Sequence, residues 1–200
     1  RSMSQPPPAR GRPGGRRRPR DEPREPPDVP AAIEIAARLL ATRPRSRWEV
    51  QRRLRRAGAQ DAVISAALER LAALGYVDDT EFVRWWQEQR DRHAPRGRRM
   101  IAAELRQRGV PRDVLDGLDE DAEERTARLG EPDADLPGTE EERADVALER
   151  HLRGRPLPED RAGLQRIGMF LVRRGFDPEA ARGAIRRRQQ ERDEPDATEE

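Results

Sequence analysis

Ser46-Arg47-Trp48-Glu49-Val50-Gln51-Arg52-Arg53-Leu54-Arg55-Arg56-Ala57-Gly58 is the stretch that decides the fold of this chain. Val50, Leu54 and Ala57 recur at spacings of four and three, which places them on one face of a helix. Ser46 can start that helix and Gly58 can end it in a left-handed cap. The pattern then returns twice. Ile101 and Leu105 precede Gly109, and Ile167 and Leu171 precede Gly175, at the spacing that Val50 and Leu54 keep to Gly58. The small residues Ser46, Gly97 and Gly163 stand at one fixed distance before the three glycines. Self-similarity with a period of roughly fifty residues marks stacked helical units, none of which can bury its apolar face alone. Such an array offers a binding surface rather than a catalytic pocket.

Working outward, Ile33, Ala36, Ala37 and Leu40 predict a helix before this stretch, and Val63, Ile64, Ala67, Leu68 and Leu71 one after it. Ser46 with Glu49 reads as a capping box. Asp78-Asp79-Thr80 opens a second set of helices carrying Phe82, Trp85 and Trp86, Pro111 suits the first position of another, and Asp177-Pro178 starts the last. The chain therefore divides into a disordered basic Pro/Gly/Arg arm at 1–30, helical repeats at 31–77 and 78–118, an acidic linker at 119–143, a third repeat at 144–190 and a charged tail at 191–200. The fold class is all-α, three tandem three-helix repeats with disordered termini.

Composition supports many short helices over one deep core, because 40% of residues are charged and only 34% hydrophobic. All 41 basic residues counted as Lys+Arg are arginine, and 39 acids nearly balance them. Arginine favours contact surfaces through its planar fork of donors. The absence of cysteine excludes disulfides, thiolate metal sites and a cysteine nucleophile. No run reaches the roughly 20 apolar residues of a membrane span, so a soluble cytoplasmic protein is expected. No Gly-rich phosphate loop follows a strand pattern, Ser46 has a capping role, and the acidic residues around Asp116, Asp119, Glu120 and Asp121 read as solvated rather than metal-binding. No catalytic, cofactor or metal residue is assigned. His93 and His151 are read as solvated, and Trp85 and Trp86 as packing residues, one facing its own repeat and the other the neighbour.

With Val50, Leu54 and Ala57 turned inward, Trp48, Arg52 and Arg55 share the opposite face of their helix. Arg99, Ala103 and Arg106 are their counterparts in the second repeat. Gln165, Met169 and Val172 are those of the third, where the basic stripe ends and the helix is expected to be buried on more than one side. With their neighbours, the candidate partner or DNA contacts are Trp48, Arg52, Arg55, Arg56, Arg96, Arg98, Arg99 and Arg106, Trp and Arg being the common hot-spot residues of interfaces.

The run Leu39-Leu40-Ala41-Thr42-Arg43-Pro44-Arg45-Ser46-Arg47-Trp48-Glu49-Val50, then Leu54, Gly58, Leu71, Leu74-Gly75-Tyr76-Val77-Asp78-Asp79 and Phe82, resembles the RecX family of bacterial regulatory proteins. Arg90 through Gly97 and Glu104-Leu105-Arg106-Gln107-Arg108-Gly109-Val110 are similar to that family's middle repeat. The likeness is good over about 31–118 and weaker over 144–190. The resemblance implies a curved, elongated monomer without catalytic residues that contacts the RecA recombinase filament on DNA and restrains its ATPase and recombination activity. The residues alone leave a second reading open, a direct, non-specific DNA-binding helical-repeat protein with a basic face.

Overall fold

The computed structural model describes residues 25–116 and 136–193. Most of the arm at 1–30, the linker between 117 and 135 and the tail from 194 onward lie outside the described residues, and with them the expectations placed there. Every regular element among the described residues is a helix, and none is a strand. The first three are α1 (Val29–Leu40), α2 (Arg47–Arg56) and α3 (Asp61–Ala73). Ala32 and Ala36 of α1, Val50 and Leu54 of α2, and Ile64, Leu68 and Leu71 of α3 share one core. A second core joins Phe82, Val83 and Trp86 of α4 (Asp79–His93), Ile101 and Leu105 of α5 (Arg98–Arg106) and Leu115 of α6 (Arg112–Asp116). A third is built by α7 (Glu140–Leu152), α8 (Arg161–Arg173) and α9 (Pro178–Asp193), around Leu148, Ile167, Leu171 and Phe176. The residue pairs of the repeat, Val50/Leu54, Ile101/Leu105 and Ile167/Leu171, are buried in their respective cores. Each such side chain contributes about 1.5–3 kcal/mol by leaving water.

The glycines after these pairs do what the pattern requires. Gly58, Gly109 and Gly175 have φ of 85°, 72° and 89°. Beyond them the N–H groups of Ala59, Val110 and Phe176 donate to the carbonyls of Leu54, Leu105 and Leu171 at 3.1, 3.2 and 3.3 Å, the bond that closes a Schellman cap. Around two of the three glycines the neighbouring repeat presses close. A Cβ on Gly109 would lie 2.3 Å from Trp48 Cγ, whereas one on Gly58 would meet nothing within 4 Å. Gly58→Val is therefore expected to cost only the left-handed strain of about 1–2 kcal/mol. Gly109→Val adds a clash with the first repeat and should lower the melting temperature further. Equal shifts for the two variants would mean that Trp48 does not press on Gly109.

One junction design joins successive repeats. The Oγ of Ser46, which caps α2, donates to the Arg108 carbonyl at 2.6 Å. In the equivalent place the N–H of Gly97, the cap of α5, donates to the Arg174 carbonyl at 3.1 Å. In both, the start of a middle helix meets the residue before the cap glycine of the next repeat. Gly163 departs from this role: α8 starts one turn earlier at Asp160, whose carboxylate accepts from the Gly163 N–H at 2.7 Å. Pro158 of its own repeat stands against Gly163, where a Cβ would lie 2.4 Å from the Pro158 Cβ.

Three more readings are corrected by packing. Ser46 accepts from the Glu49 N–H, but the Glu49 carboxylate turns to Arg43 at 3.0 Å instead of completing a capping box. The complete box is Thr139 with Glu142, so α7 begins at Glu140, within the stretch read as linker. The Thr139 N–H, above all, holds the Glu142 carboxyl below its usual range, so this cap weakens as pH falls through that lowered value. On α8, Gln165 and Met169 are exposed rather than buried on a second side, while Val172 packs against the core of its own repeat.

Candidate partner interface

The outward face of α2 and the end of α5 meet at the first junction. Trp48 is half-buried with its ring against the Gly109 backbone, and the Arg52 guanidinium lies 5.1 Å from the ring centroid. Trp48 is thus a junction residue that also serves as a cation–π platform. Arg52, Arg56 and Arg106 are exposed and have no carboxylate partner among the described residues. The Arg106 Nε donates within its own helix to Ala102 O at 3.1 Å, which leaves its charge unneutralised. Arg55 is different, since Asp61 sits 3.4 Å away, although an exposed pair of this kind holds its arginine weakly.

Arg96, Arg98 and Arg99 belong to the second junction. Glu104 is a hub within the second repeat: it accepts from Trp86 Nε1 and Arg90 Nε, each at 2.8 Å, and pairs with Arg96. Burial, then the nearby charges of Arg90 and Arg174, push the Arg96 guanidinium below its ordinary range, and it stays charged all the same. Arg98 pairs with Glu140 at 3.6 Å and Arg99 with Asp177 at 3.0 Å. These acids lie 42 and 78 residues further along the chain, so no helical wheel could reveal them. The candidate face reduces to Trp48, Arg52, Arg56 and Arg106. Trp86 is buried within its own repeat, while Trp85 reaches the first repeat, where Arg43 lies 5.4 Å from its ring.

A second basic region was not visible in the sequence. Between α4, α7 and α8 lies a cleft of about 370 Å³ lined by His93, Arg150, His151, Arg153, Arg155 and Arg174. His151 is stacked on Phe170 at 3.8 Å between centroids, which corrects its reading as a solvated histidine. Burial first, and then Arg155, Arg174 and Arg153, push its pKa down, so the imidazole is neutral at neutral pH. The only trace in the sequence is the clustering of Arg150, Arg153 and Arg155. Among the described residues no group of three or more His, Asp, Glu or Cys side chains could hold a metal ion. Nor is any helix there long and apolar enough to cross a membrane.

Comparison with known proteins decides the family. The family model described as RecX, first three-helix domain, matches residues 32–71, and that of the second three-helix domain matches 78–116. The regulatory protein RecX of Mycobacterium avium is 38% identical over 152 residues, which span 75% of this chain and 80% of that protein. This chain belongs to the RecX family. A RecX protein of Thermobifida fusca is 44% identical over 124 residues, 59% of this chain and 63% of its own. The crystal structure of RecX from Lactobacillus salivarius superposes with a TM-score of 0.64 at 17% identity, covering 82% of this chain and 97% of that one. At that identity the likeness speaks for the RecX fold. As a member of the family this chain is a RecX regulatory protein, and its first two helical units coincide with the two RecX domains that the family models describe.

Proposed function

We infer that this protein is a non-enzymatic, cytoplasmic regulator that binds the RecA recombinase filament on DNA as a monomer and restrains its ATPase and recombination activity. The contact face is the junction of α2 and α5. The observation that carries this reading is the set of exposed arginines, Arg52, Arg56 and Arg106, which have no carboxylate partner among the described residues and stand around the half-buried Trp48. Unpaired guanidiniums beside a flat aromatic suit an acidic protein surface and lose little on docking, since no internal ion pair must break first. The filament's own DNA can supply further phosphate contacts. Engagement of adjacent protomers by a rigid helical array would fix their relative geometry and so slow turnover.

The test is the ATPase rate of RecA on single-stranded DNA with wild-type protein and with Arg52→Glu combined with Arg106→Glu. The double variant should need at least about tenfold more protein for the same inhibition, since each buried charged hydrogen bond at an interface is worth about 1.5–3 kcal/mol. Its helicity should be unchanged. Added salt should weaken the wild-type effect by screening. Full inhibition by the double variant at wild-type concentration would place the contact face elsewhere.

A further inference from the structure

We propose that the cleft between α4, α7 and α8 is a binding site for single-stranded nucleic acid, with phosphates on Arg150, Arg153, Arg166 and Arg173 and a base against the His151–Phe170 stack. This goes beyond the filament reading and does not rest on it, because the site lies on different helices and needs no RecA.

Charge points to the ligand first. The cleft of about 370 Å³ adjoins a groove of about 930 Å³, the two sharing His151, Arg155 and Phe170, and among the described residues no Asp or Glu lines either one. Arg150, Arg153, Arg166 and Arg173 are exposed and have no carboxylate partner among the described residues. In a chain of 41 arginines and 39 acids, where pairing is the rule elsewhere on the third repeat (Arg187 with Asp145, Arg143 with Asp91 and Arg182 with Glu179), two adjoining cavities whose described lining is rich in arginine and free of acid form an anion site. Backbone geometry adds a second observation. Arg153 ends α7 at φ 50°, a left-handed conformation in which glycine would rest without strain, and Gly154 follows at φ 75°. An arginine held there at a conformational cost points to use of its side chain.

The floor of the groove selects among anions. Phe170 and Ile167 line it, Met169 is 47% exposed beside them, and the imidazole of His151 covers one ring face. Flat and apolar groups between guanidiniums match unstacked bases alternating with phosphates, the arrangement common to single-strand binders. A duplex hides its base faces in its own stack. An acidic polypeptide brings charge without a flat partner for the imidazole and ring. Two adjoining cavities of about 370 and 930 Å³ offer more room than a single compact anion fills, and suit a strand.

The experiment titrates the full chain into a fluorescent oligo-dT strand and follows anisotropy across a salt series. Arg150→Glu with Arg173→Glu should weaken binding at least about tenfold and reduce the slope of log affinity against log salt by about 1.4, that is, about 0.7 for each lost phosphate contact. Arg53→Glu with Arg70→Glu, exposed residues of the first repeat that line neither cavity, should leave both quantities as in the wild type, which separates this site from general surface charge. Should the reversed pair fail to fold, Arg150→Gln with Arg173→Gln removes the same charges gently and must still lower the slope. His151→Ala should weaken binding with the slope retained. An unchanged slope in the arginine variants overturns the proposal. So does a duplex that binds as tightly as the single strand, or poly-glutamate that competes as well as unlabelled oligo-dT.

Discussion

Asp91→Ala should destabilise the protein by about 3–5 kcal/mol, measured by urea unfolding. Asp91 closes the end of α4, and both of its carboxylate oxygens accept from the Arg143 Nε of α7 at 3.0 Å. The pair is shut away from water, with side-chain exposures of 9% for Arg143 and 3% for Asp91. Removal of the acid leaves a guanidinium in a place where water cannot replace the lost partner, and that desolvation supplies most of the expected cost. Arg143→Ala should do similar harm from the other side. Replacement of both, as Asp91→Leu with Arg143→Met, should restore much of the loss, since neither charge is then stranded. If Asp91→Ala unfolds like wild type, the second and third repeats are not held together by this pair.

Gly97→Val addresses the same junction by shape instead of charge. Gly97 has φ −69°, which any residue tolerates, so the substitution carries no backbone strain of its own. The obstacle is contact: a Cβ on Gly97 would lie 2.1 Å from the Phe176 backbone nitrogen and 2.2 Å from the Gly175 carbonyl carbon. Neither neighbour is a side chain that can swing away. The repeats must separate, which breaks the bonds from the Gly97 N–H to Arg174 O at 3.1 Å and from the Arg99 N–H to Gly175 O at 3.3 Å. At about 1 kcal/mol for each bond and about 1–3 kcal/mol for overpacking, the loss is expected to reach about 3 kcal/mol or more. Limited proteolysis should then cut between the second and third repeats while far-UV circular dichroism stays helical. Wild-type resistance to cleavage would show that Gly97 has room that its geometry denies.

These two positions show where local reading stopped. Gly97 is conspicuous in the sequence as a helix start, and it is one. Its more demanding duty, admitting the backbone of another repeat, depends on Gly175 and Phe176 far along the chain. Arg98 and Arg99 look like free surface charge on a helical wheel, yet Glu140 and Asp177 meet them in space. Glu140 reads as linker because the acids around it resemble a solvated run. The Thr139–Glu142 capping box lies within that run and marks the helix start.

What the sequence determined by itself is the local architecture: helices with buried pairs such as Val50 and Leu54, ended by Gly58, Gly109 and Gly175 in left-handed caps. Those features depend on side-chain periodicity and on the φ that only glycine adopts freely, both properties of a few neighbouring residues. Tertiary structure alone decided which arginines are neutralised and which stay available. An ion pair depends on the three-dimensional separation of its charges, falling off with distance and sharpened by burial, and Asp91 with Arg143 or Arg99 with Asp177 become neighbours only when one repeat docks on another. The same docking left Arg52, Arg56 and Arg106 open at one junction and gathered Arg150, Arg153 and Arg155 around His151 and Phe170 at the other.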